Sequence, residues 1–246
     1  NAQGVPIGSL CSASDHFASS DDLSGIWSPC AVQRGSVVAS AEYLQNASAI
    51  GGTALAAYPM LTLRTGVAKR VEFVFQSPSQ IAESGLRGAG LYPRTHLGFG
   101  FRYTMAEGDR FGVALEAESA PPMSRFSPNQ TQPKYRLGVN AEYALNPKLA
   151  LGFSANGTSS GTIGFTRVLP TMTAKVGYYV TPRTQVLADV GSLLVAARSR
   201  AQSFGDFSIE QSLSRNVVFN VGLGTTFDPV LNEKAHYLAS GFTFKP

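Results

Sequence analysis

Apolar and polar side chains alternate with a period of two along most of the chain, in short runs broken by turn residues, which is the signature of β-strands with one apolar face. The clearest pair sets Leu97, Phe99, Phe101 and Tyr103 against His96, Gly98, Gly100, Arg102 and Thr104. It then crosses Glu107-Gly108-Asp109 to Phe111, Val113, Leu115 and Ala117, set against Gly112, Ala114, Glu116 and Glu118. A second pair flanks Asn146-Pro147, with Tyr135 to Tyr143 before it and Leu149 to Asn156 after it. A third flanks Thr181-Pro182, with Met172 to Val180 and then Val186 to Val190. Weaker alternation predicts a strand from Val37 to Leu44, a hairpin between Tyr43 and Leu63, and strands on either side of Ala68-Lys69. Further strands follow at Val217 to Gly224 and at His236 to Phe244. The stretch from Ser192 to Phe219 reads as a hairpin with its tip near Gly205-Asp206.

The turns have a rhythm of their own. Short ones fall at Ala68, Gly108, Pro147, Pro182 and Pro229, with longer loops between them, Ser77 to Pro93 and Pro121 to Pro133 above all. A barrel with one tight rim and one elaborated rim requires that alternation. Tyr43, Phe101, Tyr103, Tyr135, Tyr143, Tyr178 and Tyr179 sit toward strand ends, where an interfacial girdle would lie, although ordinary β-propensity accounts for them equally well. The expected fold is all-β: a transmembrane antiparallel up-and-down barrel of about twelve strands, within a range of ten to twelve. Eleven or so can be counted and a bacterial barrel needs an even number, so one is hidden near Leu23 to Pro29 or Ala201 to Glu210. A water-soluble β-sandwich is the competing fold.

Composition favours the membrane form. Charged residues are only 15%, while hydrophobic residues at 43% and a mean hydropathy of +0.01 are too low for a bundle of membrane helices. A barrel shows only every second strand residue to lipid, so it has no need of a greasy average. No cleavable signal peptide opens the sequence, and Asn1 is compatible with a mature N-terminus left after export. The expected location is the bacterial outer membrane, as an integral protein of the Gram-negative envelope. The closing strand, with Phe242 and Phe244 near its end, resembles the signal read by outer-membrane assembly machinery, from which Lys245 and Pro246 depart.

The polar faces of the strands carry the candidate function. Glu42, Arg64, Glu72, Arg102, Glu116, Arg136, Glu142, Lys175 and Asp189 all fall on the inward parity, largely with alternating sign. Charges taken out of water need partners, and cross-strand neighbours of opposite sign supply them. Such a wall describes either a hydrated lumen that passes or holds a solute or a salt-bridged interior that fills the barrel. Residues 1–33 lack periodicity and form a separate segment, a tail or plug, ahead of the barrel at 34–246. That segment holds Cys11 and Cys30, spaced for a disulfide that closes a loop in an oxidising compartment; two free thiols are the alternative.

Several segments, "LRTGVAKRVEFVF", "GAGLYPRTHLGFGFRYTMAEGDRFGVALEAESAPP", "LGVNAEYALNPKLALGFSAN" and "VVFNVGLGTTFDPVLNEKAHYLASGFTF", resemble the outer-membrane transporter-like β-barrel family of the MetA pathway of phenol degradation. The resemblance covers most of the chain after Val37. It implies a barrel of about a dozen strands that moves small, often aromatic, compounds, and it carries no catalytic motif onto residues here.

No P-loop, dinucleotide fingerprint or nucleophile elbow is present, so no cofactor is expected. His16, His96 and His236 are too dispersed for a metal site, and the net charge of +4 contains no basic run for nucleic acid. The leading expectation is a passive, porin-like channel for small solutes, aromatic or hydrophobic ones among them, embedded in outer-membrane lipid and delivered by the assembly machinery. A structural barrel that docks an envelope partner through residues 1–33 is the second reading. A rim-sited lipid-modifying enzyme using His96 with Ser154 is the third.

Overall fold

The computed structural model describes residues 28–48, 54–77, 80–84, 90–93, 98–120, 134–162, 165–195, 200–228 and 233–245. Every regular element among them is a strand: β1 (Val37–Ser48), β2 (Ala54–Ala68), β3 (Val71–Gln76), β4 (Gln80–Ser84), β5 (Gly90–Pro93), β6 (Gly98–Glu107), β7 (Phe111–Ala120), β8 (Lys134–Asn146), β9 (Leu149–Thr162), β10 (Phe165–Thr181), β11 (Thr184–Val195), β12 (Arg200–Ser212), β13 (Val217–Asp228) and β14 (Glu233–Phe244). Neighbours pair antiparallel throughout, and β1 pairs with both β14 and β2, so the sheet closes on itself. Closure leaves the membrane-spanning part without an unpaired edge, which lipid would not tolerate.

The closed circuit holds twelve strands, because β3 and β4 are successive pieces of one wall position and β5 and β6 of the next. The lower half of β2, Thr62 to Ala68, pairs with β3, and its upper half, Ala54 to Tyr58, pairs with β4. β5 then pairs with β4 as β6 pairs with β3. The expected loop from Ser77 to Pro93 is thus corrected: its Gly, Ser and Pro content reads as loop, yet it contains two strand pieces that extend the sheet, since a backbone ladder is available from the long β2.

The hidden strand is β12. Gly205 and Asp206 are no hairpin tip; they lie mid-strand, opposite Val190 and Asp189 on β11 and Thr225 and Gly224 on β13. Two flanking ladders outweigh the local turn preference of a Gly-Asp pair. That misreading also displaced the rim assignment. The tight rim consists of the turns at Lys69-Arg70, 108–110, Pro147-Lys148, Pro182-Arg183 and 213–216, whereas β13 ends at the opposite rim, and Pro229 lies outside the described residues. The expected loop from Pro121 to Pro133 also lies outside them.

Large apolar side chains stand outward and exposed, as with Phe101 at 55%, Leu137 at 66% and Leu223 at 61%, while the opposite parity is buried and largely polar. A soluble sandwich would bury its apolar face between sheets, so this inside-out distribution excludes that fold. One girdle assignment changes: Tyr178 is outward, but Tyr179, next in the alternation, turns inward and is buried.

Candidate lumen and plug site

Residues directly opposite one another in an antiparallel pair share a face, so the register places the inward charges in belts. One belt runs Gly66, Glu72, Arg102, Glu116, Gly138 and Asn156 across β2, β3, β6, β7, β8 and β9. Another runs Glu142, Gly152, Lys175, Asp189, Asp206, Gly224 and Tyr237 from β8 to β14.

Glu72 is the hub of the first belt. Arg64 on β2 donates to both of its carboxylate oxygens, Nε to Oε1 and Nη2 to Oε2, each at 2.9 Å. Arg102 on β6 approaches Oε1 with Nη1 at 3.0 Å, and all three side chains are essentially inaccessible. Arg64 forks across the carboxylate and Arg102 adds a third contact, so the buried Glu72 charge is paired from two strands.

The fourth contact to Glu72 comes from outside the barrel wall. The backbone N–H of Val32 donates to Oε2 at 2.7 Å. Val32 belongs to residues 28–36, which precede β1 and fold back inside the barrel near the tight rim. Their carbonyls are held in turn: Ser28 accepts from Arg102 Nη1 at 3.0 Å, Pro29 from the Thr104 hydroxyl at 2.9 Å and Cys30 from Arg64 Nη2 at 3.3 Å. Thr104 Oγ1 also accepts from the Ala31 N–H at 2.9 Å. Gly35 and Ser36 then bond to the backbone of Gly66, Gly35 N–H donating at 2.9 Å and the Ser36 carbonyl accepting at 3.1 Å. Gly66 has to be glycine, because a Cβ there would overlap the backbone of Val32 and Gln33. Ser28, Pro29 and Cys30 are buried by this arrangement.

A second cluster lies one pair of strands on. Glu116 accepts from Asn140 Nδ2 at 2.9 Å and pairs with Arg136 Nη2 at 3.0 Å, and Arg136 reaches Glu118 at 3.8 Å. A side chain at Gly138 would collide with Asn156 and with Glu116, so the glycine makes room for the cluster. In the other belt Lys175 interacts electrostatically with Glu142 and stands opposite Asp189, and the Tyr237 hydroxyl donates to Asp206 Oδ2 at 2.7 Å.

Arg64, Glu72, Arg102, Glu116, Glu142, Lys175 and Asp189 are therefore buried on the inward face, with Glu42 and Arg136 half-buried on it. Arg64, Glu72 and Arg102 come together, as do Glu116 and Arg136. Phe242 and Phe244 stand outward and exposed on β14, with Phe242 packed against Phe219 at 5.0 Å between ring centroids. Cys11 lies outside the described residues, and with it the expected disulfide to Cys30. His16 and His96 also lie outside them; His236 is exposed, and Ser154 is buried in the wall. Sequence reasoning did not name Thr104, Glu118, Asn140, Asp206 or Tyr237 as site residues, although it set Thr104 and Glu118 on the polar face. Parity would have found most of them, but Asp206 was hidden by its reading as a turn.

The fold is shared with outer-membrane barrels of known structure. No family model and no curated protein matches the chain. Among solved structures, an outer-membrane channel from Pseudomonas putida F1 matches with a TM-score of 0.63 at 13% identity, over 88% of this chain and 97% of that one. The NanC porin matches with a TM-score of 0.60 at 8% identity, over 84% of this chain and 100% of that one. The KdgM porin in complex with disordered oligogalacturonate matches at 0.51 and 10% identity, over 83% and 98%. Identities this low speak for the architecture alone.

Proposed function

We propose that this protein is an outer-membrane channel for small solutes whose path is closed at the tight rim by residues 28–36. The single observation that carries this reading is the charged inner wall bonded to a separate segment of chain through side chains. A filler evolved only for stability would be served as well by apolar packing, since buried ion pairs add little over hydrophobic contacts. Hydrogen bonds from Arg64, Arg102 and Thr104 to backbone carbonyls can instead be exchanged for water once the segment moves. The wall is hydrophilic enough to hold water behind it. Solutes with polar groups suit such a lumen, and substituted aromatic compounds are the class that the resemblance to the phenol-degradation family suggests. The same likeness supports a location in the bacterial outer membrane, reached through recognition of the Phe242 and Phe244 strand by assembly machinery.

Planar-bilayer recording of the refolded protein tests the reading. Wild type should show rare openings, and a variant with the 28–36 contacts weakened should show sustained ohmic conductance. Silence in both, with the barrel folded, would leave a structural barrel whose N-terminal segment docks an envelope partner.

A further inference from the structure

Beyond the lumen, the tight rim has a charge pattern that the channel reading does not use. Each of its five turns contributes a basic residue, and the chain after β14 contributes another: Lys69, Arg110, Lys148, Arg183, Arg215 and Lys245. All but the half-buried Lys245 are exposed. Among the described residues the carboxylates at the same level are few: Asp109 is exposed, and Glu107 is engaged by Arg70 at 3.0 Å. The second, independent feature is the outer wall just inside this ring. Next to each basic residue stands a large exposed apolar side chain: Val67, Phe111, Leu145, Val180, Leu213 and Phe244 respectively, at 43 to 55% exposure. Apolar residues in that position fix the depth of the barrel in the bilayer, and the cations directly beyond them are then held at the plane of the headgroups.

We infer that the tight rim is a binding collar for anionic phospholipid, with the lipid phosphates of the facing leaflet seated between the basic turns. Short turns face the periplasm in barrels of this class, so the leaflet concerned is the periplasmic one. At two of the turns the basic side chain takes no part in capping the backbone. At Pro147-Lys148 the Asn146 carboxamide oxygen accepts the Lys148 and Leu149 N–H groups at 2.8 and 3.0 Å, and at Pro182-Arg183 the Thr181 hydroxyl accepts the Arg183 N–H at 3.2 Å. The backbone is capped by neighbours, and Lys148 and Arg183 are exposed. The inference does not depend on whether the lumen conducts.

The test is electron spin resonance on the full chain reconstituted in phosphatidylcholine bilayers with a trace of spin-labelled phosphatidylglycerol or phosphatidylcholine. The wild type should enrich phosphatidylglycerol about threefold at its surface at low salt, falling toward unity in 0.5 M NaCl as screening shortens to a few ångströms, about 3–5 Å. The triple variant Lys148→Ser, Arg183→Ser, Arg215→Ser should bring the ratio close to one while keeping the heat-modifiable gel mobility of a folded barrel. Equal ratios for the two lipids with wild type, or undiminished enrichment by the folded triple variant, would overturn the proposal. So would displacement of the labelled lipid by millimolar glycerol phosphate, which would mark a site for soluble phosphate in place of a membrane collar.

Discussion

Removing the Glu72 carboxylate is the sharpest perturbation of the closed lumen. In Glu72→Ala, Arg64 and Arg102 stay inside the barrel at 1% exposure without their shared counter-ion, and the Val32 N–H loses its acceptor. Breaking a buried pair by removal of one partner costs about 3–5 kcal/mol, because the remaining charge is left uncompensated. The wall cannot relieve this, since β2, β3 and β6 are tied by continuous backbone ladders. Residues 28–36 can, because they are held by a handful of bonds and their departure lets water reach both guanidinium groups. A penalty of that size shifts a closed-to-open equilibrium by roughly 10²-fold to several thousand-fold. Two assays read it: open probability in planar bilayers should rise steeply, and amide exchange at Ala31 and Val32 should accelerate by a comparable factor. A folded Glu72→Ala barrel with unchanged exchange at those two amides would refute the reasoning, since it would show that the segment is not held by this ion cluster.

Other substitutions probe separate links. Gly66→Val places a side chain where the backbone of Val32 and Gln33 lies, so it should displace residues 28–36 as Glu72→Ala does while leaving the Arg64–Glu72 pair intact; amide exchange at Val32 and bilayer conductance check it. Gly138→Ala should leave the plug in place but lower barrel stability by about 1–3 kcal/mol through crowding of Asn156 and Glu116, measured as a drop in the urea midpoint of refolded protein. The rim pair Arg70–Glu107 is exposed at 38% and 22%, so a double-mutant cycle in the same assay should find less than about 1 kcal/mol of coupling. Replacing Phe242 and Phe244 together with Ala should sharply reduce delivery to the outer membrane in cells yet still permit refolding in detergent; equal loss in both would show a packing role alone.

The class of fold was legible because a barrel wall repeats one local rule. Strand residues alternate faces whatever their partners, so Phe99, Phe101 and Tyr103 against Gly100, Arg102 and Thr104 already declare one lipid face and one interior face. The same parity put Arg64, Glu72, Arg102 and Glu116 on the inside without any knowledge of their neighbours. Register, and everything that depends on it, came only from the assembled sheet. Gly205-Asp206 reads as a turn in isolation and is a strand because β11 and β13 flank it; Ser77 to Pro93 reads as a loop and is partly sheet because β2 is long enough to pair with it. Residues 28–36 have no periodicity, and their place follows from side chains distant in sequence, Arg64, Glu72, Arg102 and Thr104, which meet only when the barrel closes. The sequence by itself determined which face each side chain takes, since that is local geometry; which charges meet, and what they hold, is decided by pairing across the whole circumference.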